Sequence, residues 1–245
     1  MCRTNNEWNH TRVFSPIAML AAVCVLAGGV TTAHAAGGTV VGKVTLKGAP
    51  PPAPSPVNVA ANSEQCGTQY EPDAMFGQGG SIRWAVVRIV GAKGEFPAQL
   101  PPPTLDQRTC RFTPHVVVVP VGRPLRVLNN DGILHNFHTF PTKNTPVNTA
   151  QPGFRKTMDA VFAAPEIVRV GCDVHPWMGA HIVVSETPFV AVTDENGAFS
   201  IDGVPAGSYT VSIWHEMLGE QTQQITVVEG QKTNLSVAMA AKRAN

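Results

Sequence analysis

Cys172, His175 and Met178 stand three residues apart in the segment GCDVHPWMGAHIVV, residues 171–184. A thiol, an imidazole and a thioether at this spacing can turn toward one centre from a single tight loop. The set is poor for zinc, which takes four strong nitrogen, sulfur or oxygen donors. It suits copper: thiolate and thioether favour Cu(I), and imidazole holds Cu(II). A mononuclear site serving both states needs a second imidazole in the plane and a weak axial thioether. The segment LNNDGILHNFHTF, residues 128–140, offers two, His135 and His138, 37 and 34 residues before Cys172. Their parity differs, so on a straight strand they face opposite sides and only one can join the thiolate. His135 follows the irregular NNDG turn, where a loop end can present it at the rim. The plainer readings are a buried free thiol at Cys172 and a surface turn histidine at His135. His138 reads as a supporting or structural residue. His115, His181 and His215 read as surface histidines or as strand histidines satisfied by their neighbours.

The elements that must position these side chains read as strands. GTVVGKVTLKG (38–48) alternates apolar and polar residues, WAVVRIVG (84–91) is a short apolar run, and FTPHVVVVPVG and PLRVLNND are divided by a turn at Gly122. EIVRVGC (166–172) alternates cleanly and HIVVSE (181–186) follows, so the Cys-His-Met loop joins two strands. APPPAPSP (49–56) is a stiff extended segment, and residues 57–81 are irregular. From 187 the turns Glu195-Asn196-Gly197 and Pro205-Ala206-Gly207 separate short alternating strands of a smaller module. Strands at regular spacing with Gly/Pro turns predict an all-β chain of sandwiches or barrels.

Composition limits the partners. Only 14% of the 245 residues are charged. Arg3 and Arg12, the 14-residue apolar run IAMLAAVCVLAGGV and the small-residue site AHA (33–35) predict a cleaved export signal over 1–35. Its removal takes away Arg3, Arg12 and Glu7 and leaves equal numbers of acidic and basic residues. Nothing in that balance draws nucleic acid or a membrane surface, and no span is expected after cleavage. The expected location is periplasmic or secreted. Three cysteines remain: Cys66, Cys110 and Cys172. An odd number in an oxidising compartment implies one disulfide and one thiol with another task. Cys66–Cys110 is the natural pair; the alternative joins one of them to Cys172 and leaves no thiolate.

The segments LNNDGILHN and CDVHPWM before HIVV resemble the cupredoxins, and most the amicyanin branch, over roughly residues 84–186. The resemblance implies a cupredoxin-like Greek-key β-sandwich. It implies one copper ion cycling between Cu+ and Cu2+, with His135, Cys172 and His175 as equatorial ligands and Met178 as the axial one. It further implies that Asn136 ties the two ligand loops together near the sulfur. AVTDENGAFSIDGVPAGSYTVSIWHE (191–216) resembles carboxypeptidase regulatory-like, or prealbumin-like, domains through Thr193, Asp194, Gly197, Phe199, Gly203, Pro205, Gly207, Tyr209 and Val211. The expected organisation is a signal (1–35), an N-terminal strand with a Pro/Gly-rich segment (36–83), a copper domain (84–186) and a prealbumin-like β-sandwich (187–245). The strand at 39–47 is expected to complete that last sandwich. No Ser/His/Asp grouping or paired carboxylates suggest an enzyme. The expected function is single-electron transfer with a redox protein, such as a periplasmic c-type cytochrome or a dehydrogenase. The alternatives are copper binding or delivery without redox turnover, and a structural β protein with a vestigial site. In such a loop His175 lies furthest from the strands. Its ring edge is therefore expected at the surface, framed by Pro176, Trp177 and Met178 as the exit for electrons.

Overall fold

The computed structural model describes residues 37–240; the export signal expected over 1–35 lies outside them. The strands are, in order, β1 (Gly38–Lys47), β2 (Val57–Asn58), β3 (Gln69–Tyr70), β4 (Val86–Val90), β5 (Thr104–Arg108) and β6 (Arg111–Thr113). They continue as β7 (Val116–Pro120), β8 (Pro124–Asn129), β9 (His135–Phe140), β10 (Asn148–Gln151), β11 (Thr157–Val161) and β12 (Glu166–Gly171). The last six are β13 (Gly179–Ser185), β14 (Val190–Val192), β15 (Ala198–Val204), β16 (Gly207–His215), β17 (Gly219–Val227) and β18 (Lys232–Ala240). A short helix, α1 (Ser63–Cys66), lies between β2 and β3, and a 3-10 turn spans Gln78–Gly80 before β4.

Two sandwiches account for most of these strands. In the central one, the sheet β10-β9-β12-β13-β7 faces the sheet β11-β8-β5-β6. Leu105, Phe112, Val119, Leu125, Val127, Phe137, Phe162, Val170 and Ile182 fill the space between them. In the second, β15-β1-β18 faces β14-β4-β16-β17 around Val40, Val44, Val87, Ile89, Phe199, Ile213 and Leu235. Successive strand residues point to opposite faces, and this explains the unbroken valine runs. Val117 and Val119 of β7 enter the central core, whereas Val116 packs with Trp84, Val86 and Val183 in a third apolar cluster. Val87 and Ile89 of β4 enter the second core, while Val86 joins that same third cluster. The two sheets are therefore buried on both faces, and apolar runs without polar alternation mark such strands.

The domain boundary differs from the sequence reading at one strand. WAVVRIVG was assigned to the copper domain of residues 84–186, but β4 pairs antiparallel with β14 and β16 in the second sandwich. A short apolar run specifies burial and not its partner, so its sheet was not legible. β1 lies between β15 and β18, parallel to β18 from Thr39↔Lys232 to Lys47↔Ala240. The approach is close enough that a Cβ on Gly42 would sit 1.9 Å from the Leu235 carbonyl oxygen. The second sandwich is thus built from both ends of the described chain, with the central sandwich inserted between them.

Acidic Glu166 fixes the long loop after β9. Its carboxylate accepts the backbone N–H groups of Thr142, Lys143 and Asn144 together with the Thr142 hydroxyl and the Asn144 amide. Burial alone would raise its pKa, but these hydrogen bonds outweigh it and hold the carboxyl at about 2. A depressed folded-state pKa contributes stability that is fully present above the ordinary value of about 4.5 and lost as pH falls toward 2. Acid titration of thermal stability is expected to show a decline across this window in the parent protein. In Glu166→Gln the decline should shrink, from a lower starting stability at neutral pH. Superimposable acid profiles would contradict this role.

Candidate metal centre

Gly171 of β12 pairs with Gly179 of β13, so residues 172–178 form the loop that closes this hairpin. The Met178 N–H donates to the His175 carbonyl at 2.9 Å and tightens its far end. Across the sheet, β9 pairs with β12 only from His138 to Phe140. Its first residues therefore run past the end of β12, where the loop folds over them. This geometry brings His135 to the ligand loop although it begins a strand 37 residues earlier.

The donor atoms converge in a buried pocket. His135 Nδ1 lies 3.0 Å from His175 Nδ1, and Cys172 Sγ lies 3.7 Å from His175 Nδ1. The three ligand atoms all fall within 4.8 Å of one another. His135 and His175 have no exposed surface, and Cys172 and Met178 are buried beside them in the central core. Metal bonds of about 2.0 Å to nitrogen and 2.3 Å to sulfur, at trigonal angles, separate N and S by about 3.7 Å.

The surrounding hydrogen bonds fix which nitrogen of each ring carries a proton. His135 Nε2 lies 2.8 Å from Asp131 Oδ2, and a carboxylate can only accept there. His175 Nε2 lies 3.0 Å from Asn62 Oδ1, also an acceptor. With the Asn62 amide oxygen turned to the ring, both Nε2 atoms donate and both Nδ1 atoms present lone pairs to each other. Burial pushes the pKa of both histidines down, opposed at each by Asp131, which favours the neutral rings. Two lone pairs at 3.0 Å beside a thiol repel unless a cation sits among them. The donors present thus fit a soft, imidazole-binding metal such as copper.

Asn136 supports the sulfur from the side. Its backbone N–H donates to Cys172 Sγ at 3.3 Å, and its side-chain oxygen accepts the Asp173 N–H at 3.4 Å. His138 is not among the converging donors; it faces Asp173 at 2.8 Å near the surface. Cys66 and Cys110 are joined in a disulfide, and Cys172 is free.

Two residues outside the sequence reading belong to the centre. Asp131 accepts the backbone N–H groups of Thr109 and Cys110 as well as the His135 ring, so the disulfide turn and a candidate ligand share one carboxylate. Its turn is held where Gly153 crosses Gly132; a Cβ on Gly153 would sit 1.9 Å from the Gly132 carbonyl oxygen. A carboxylate four residues before a candidate ligand was the available signal. Asn62, at the start of α1 with φ 56°, had none, because its approach to His175 spans 113 residues. In Asp131→Asn the amide can donate to the ring and turn the His135 proton toward the metal side. Metal affinity is expected to fall about 10–100-fold, the usual cost of losing such a partner, with an unchanged circular dichroism spectrum. A chelator-competition titration checks it.

The expected exposure of His175 is corrected. The segment from β2 to β3 lies across the loop: Asn62 bonds the His175 ring, and Tyr70 packs 6.2 Å from Trp177. The Trp177 indole donates to the Cys110 carbonyl at 3.2 Å. Cys66–Cys110 ties this strap down, leaving Pro176 exposed and Trp177 half-buried. The proline-rich lead-in gave no sign that the segment returns over the metal loop.

The sequence profile of the Carboxypeptidase regulatory-like domain family matches residues 168–240. That match begins within β12 of the central sandwich and runs to the end of β18. No curated protein matches the chain. Among solved structures, a copper-containing nitrite reductase (NirK) from Thermus scotoductus SA-01 is 26% identical with a TM-score of 0.33; the match covers 40% of this chain and 24% of that one. The chain therefore spans about a quarter of that relative's length. A methionine-to-alanine variant of amicyanin in its Cu(I) form is 15% identical with a TM-score of 0.32, covering 40% of this chain and 98% of its own. A purple cupredoxin from Nitrosopumilus maritimus is 18% identical with a TM-score of 0.29, covering 34% and 99%. The chain is thus similar to these copper proteins over 34–40% of its length and to carboxypeptidase regulatory-like domains over residues 168–240. The arrangement of His135, Cys172 and His175 carries the functional reading.

Proposed function

We propose that the protein is an exported single-copper electron carrier and not an enzyme. The supporting observation is the buried meeting of two Nδ1 lone pairs with the Cys172 sulfur. His135, Cys172 and His175 would hold the ion, and buried Met178 would supply a weak thioether donor. Copper bound there supplies a one-electron couple between Cu(I) and Cu(II). The chain supplies a fixed donor set. Asp131 and Asn62 lock the ring tautomers, the Asn136 N–H holds the sulfur, and burial excludes water, so little need rearrange when charge changes.

A disulfide fits an oxidising compartment, in keeping with export. The expected partner is a redox protein such as a periplasmic c-type cytochrome or a dehydrogenase. It would approach over Pro176 and the strap, since the His175 edge is covered. That cover disfavours copper delivery, which needs ligands a recipient can reach. The test is anaerobic copper loading, then oxidation, with metal counting and stopped-flow mixing against an oxidised c-type cytochrome. One copper per chain, strong visible absorption and fast electron exchange are expected. Ready loss of copper to chelators without electron exchange would replace this reading with copper handling.

A further inference from the structure

A second group of donors stands where the two sandwiches meet. His115 immediately precedes β7, and His181 lies on β13 beside it; the His181 N–H donates to the His115 carbonyl at 2.8 Å. Glu216 comes from the turn between β16 and β17 of the other sandwich. Its carboxylate contacts His115 Nε2 through one oxygen, and the other lies 3.8 Å from His181 Nδ1. That distance is too long for a hydrogen bond. His181 is 9% exposed, and its Nδ1 is buried without a hydrogen-bond partner.

We propose that His115, His181 and Glu216 form a second metal site, for a borderline divalent cation of the zinc class. The ligand atoms of all three lie within 4.8 Å of one another; an ion with bonds of about 2.0–2.2 Å in tetrahedral geometry holds its donors about 3.4 Å apart, so the Glu216 carboxylate would draw back from His115 and the His181 ring would close in as the ion enters. An ion pair between His115 and Glu216 alone would leave the His181 nitrogen unsatisfied, whereas a shared cation gives it a partner. Two imidazoles and a carboxylate form a donor set that takes zinc and leaves a further position for water or an added ligand. His115 and Glu216 line a cavity of about 280 Å³, which provides room for that position. Trp84 packs 4.6 Å from the His115 ring and Trp214 5.0 Å from the His181 ring, so both imidazoles are held before any metal arrives. His215 is not among the converging donors; its Nδ1 accepts the Met217 N–H. The absence of sulfur separates this site chemically from the Cys172 centre. Because its ligands come from both sandwiches, an ion there joins them.

The site is tested with the intact protein carrying His135→Ala and Cys172→Ser, which removes competition from the other centre. Zn2+ is titrated calorimetrically and counted by elemental analysis after gel filtration. One zinc per chain is expected. Adding Glu216→Gln or His115→Ala should weaken its binding at least about tenfold, since even lost supporting residues cost that much. X-ray absorption of the zinc-loaded double variant should show two imidazoles with oxygen donors and no sulfur, a readout that stands even if a third substitution impairs folding. No stoichiometric zinc, undiminished binding in both added variants, or a coordination shell without two imidazoles would overturn the assignment.

Discussion

Copper-loaded protein carrying Cys172→Ser is expected to lose essentially all of its intense visible absorption. The colour of such a centre comes from charge transfer between thiolate and copper, and Cys172 is the one free thiol among the described residues. A serine hydroxyl is a much poorer electron donor, so the band has no origin even if His135 and His175 retain the metal. Met178→Gln is the contrasting case. It keeps the thiolate and both imidazoles, so colour and copper persist while the reduction potential shifts. Unchanged absorption in Cys172→Ser would end the assignment of the ligands.

The double substitution Cys66→Ser, Cys110→Ser is expected to cost roughly 4 kcal/mol of stability, the chain-entropy estimate for a loop of this length. The linked cysteines are 44 residues apart. The effect should also reach the metal centre, because Cys110 shares Asp131 with His135 and its partner Cys66 closes the helix that begins at Asn62. With the strap released, the His175 edge is uncovered and chelators should remove copper faster. Denaturant midpoints and extraction rates check the two effects separately. A destabilised protein with unaltered extraction kinetics would mean that the strap does not guard the metal.

The candidate donors of the loop were legible because Cys172, His175 and Met178 lie within one short loop, where spacing alone limits geometry. His135 and His138 were separable by parity, since a strand sends neighbours to opposite faces. What pattern could not supply was pairing between distant segments. β4 reads as a strand in any sheet, and only its register with β14 and β16 places it in the second sandwich. His175 was expected at the surface because nothing in a proline-rich stretch announces the segment that it will cover. His115 and His181 read singly as ordinary histidines and Glu216 drew no reading, because the three come from separate turns and strands 35 or more residues apart. Their joint chemistry exists only after both sandwiches have formed.

The parallel pairing of β1 with β18 has a mechanical consequence. Residue 39 enters that pair at one end and residue 240 leaves it at the other. A pull between these two points would load the ladder in shear along its whole length, with the hydrogen bonds sharing the force. An antiparallel pair held at its open end would instead unzip one rung at a time. The inserted central sandwich, and the metal loop within it, lie off that line of force. Tension applied to the ends of the fold is therefore borne by β1 and β18 before it reaches His135 or Cys172.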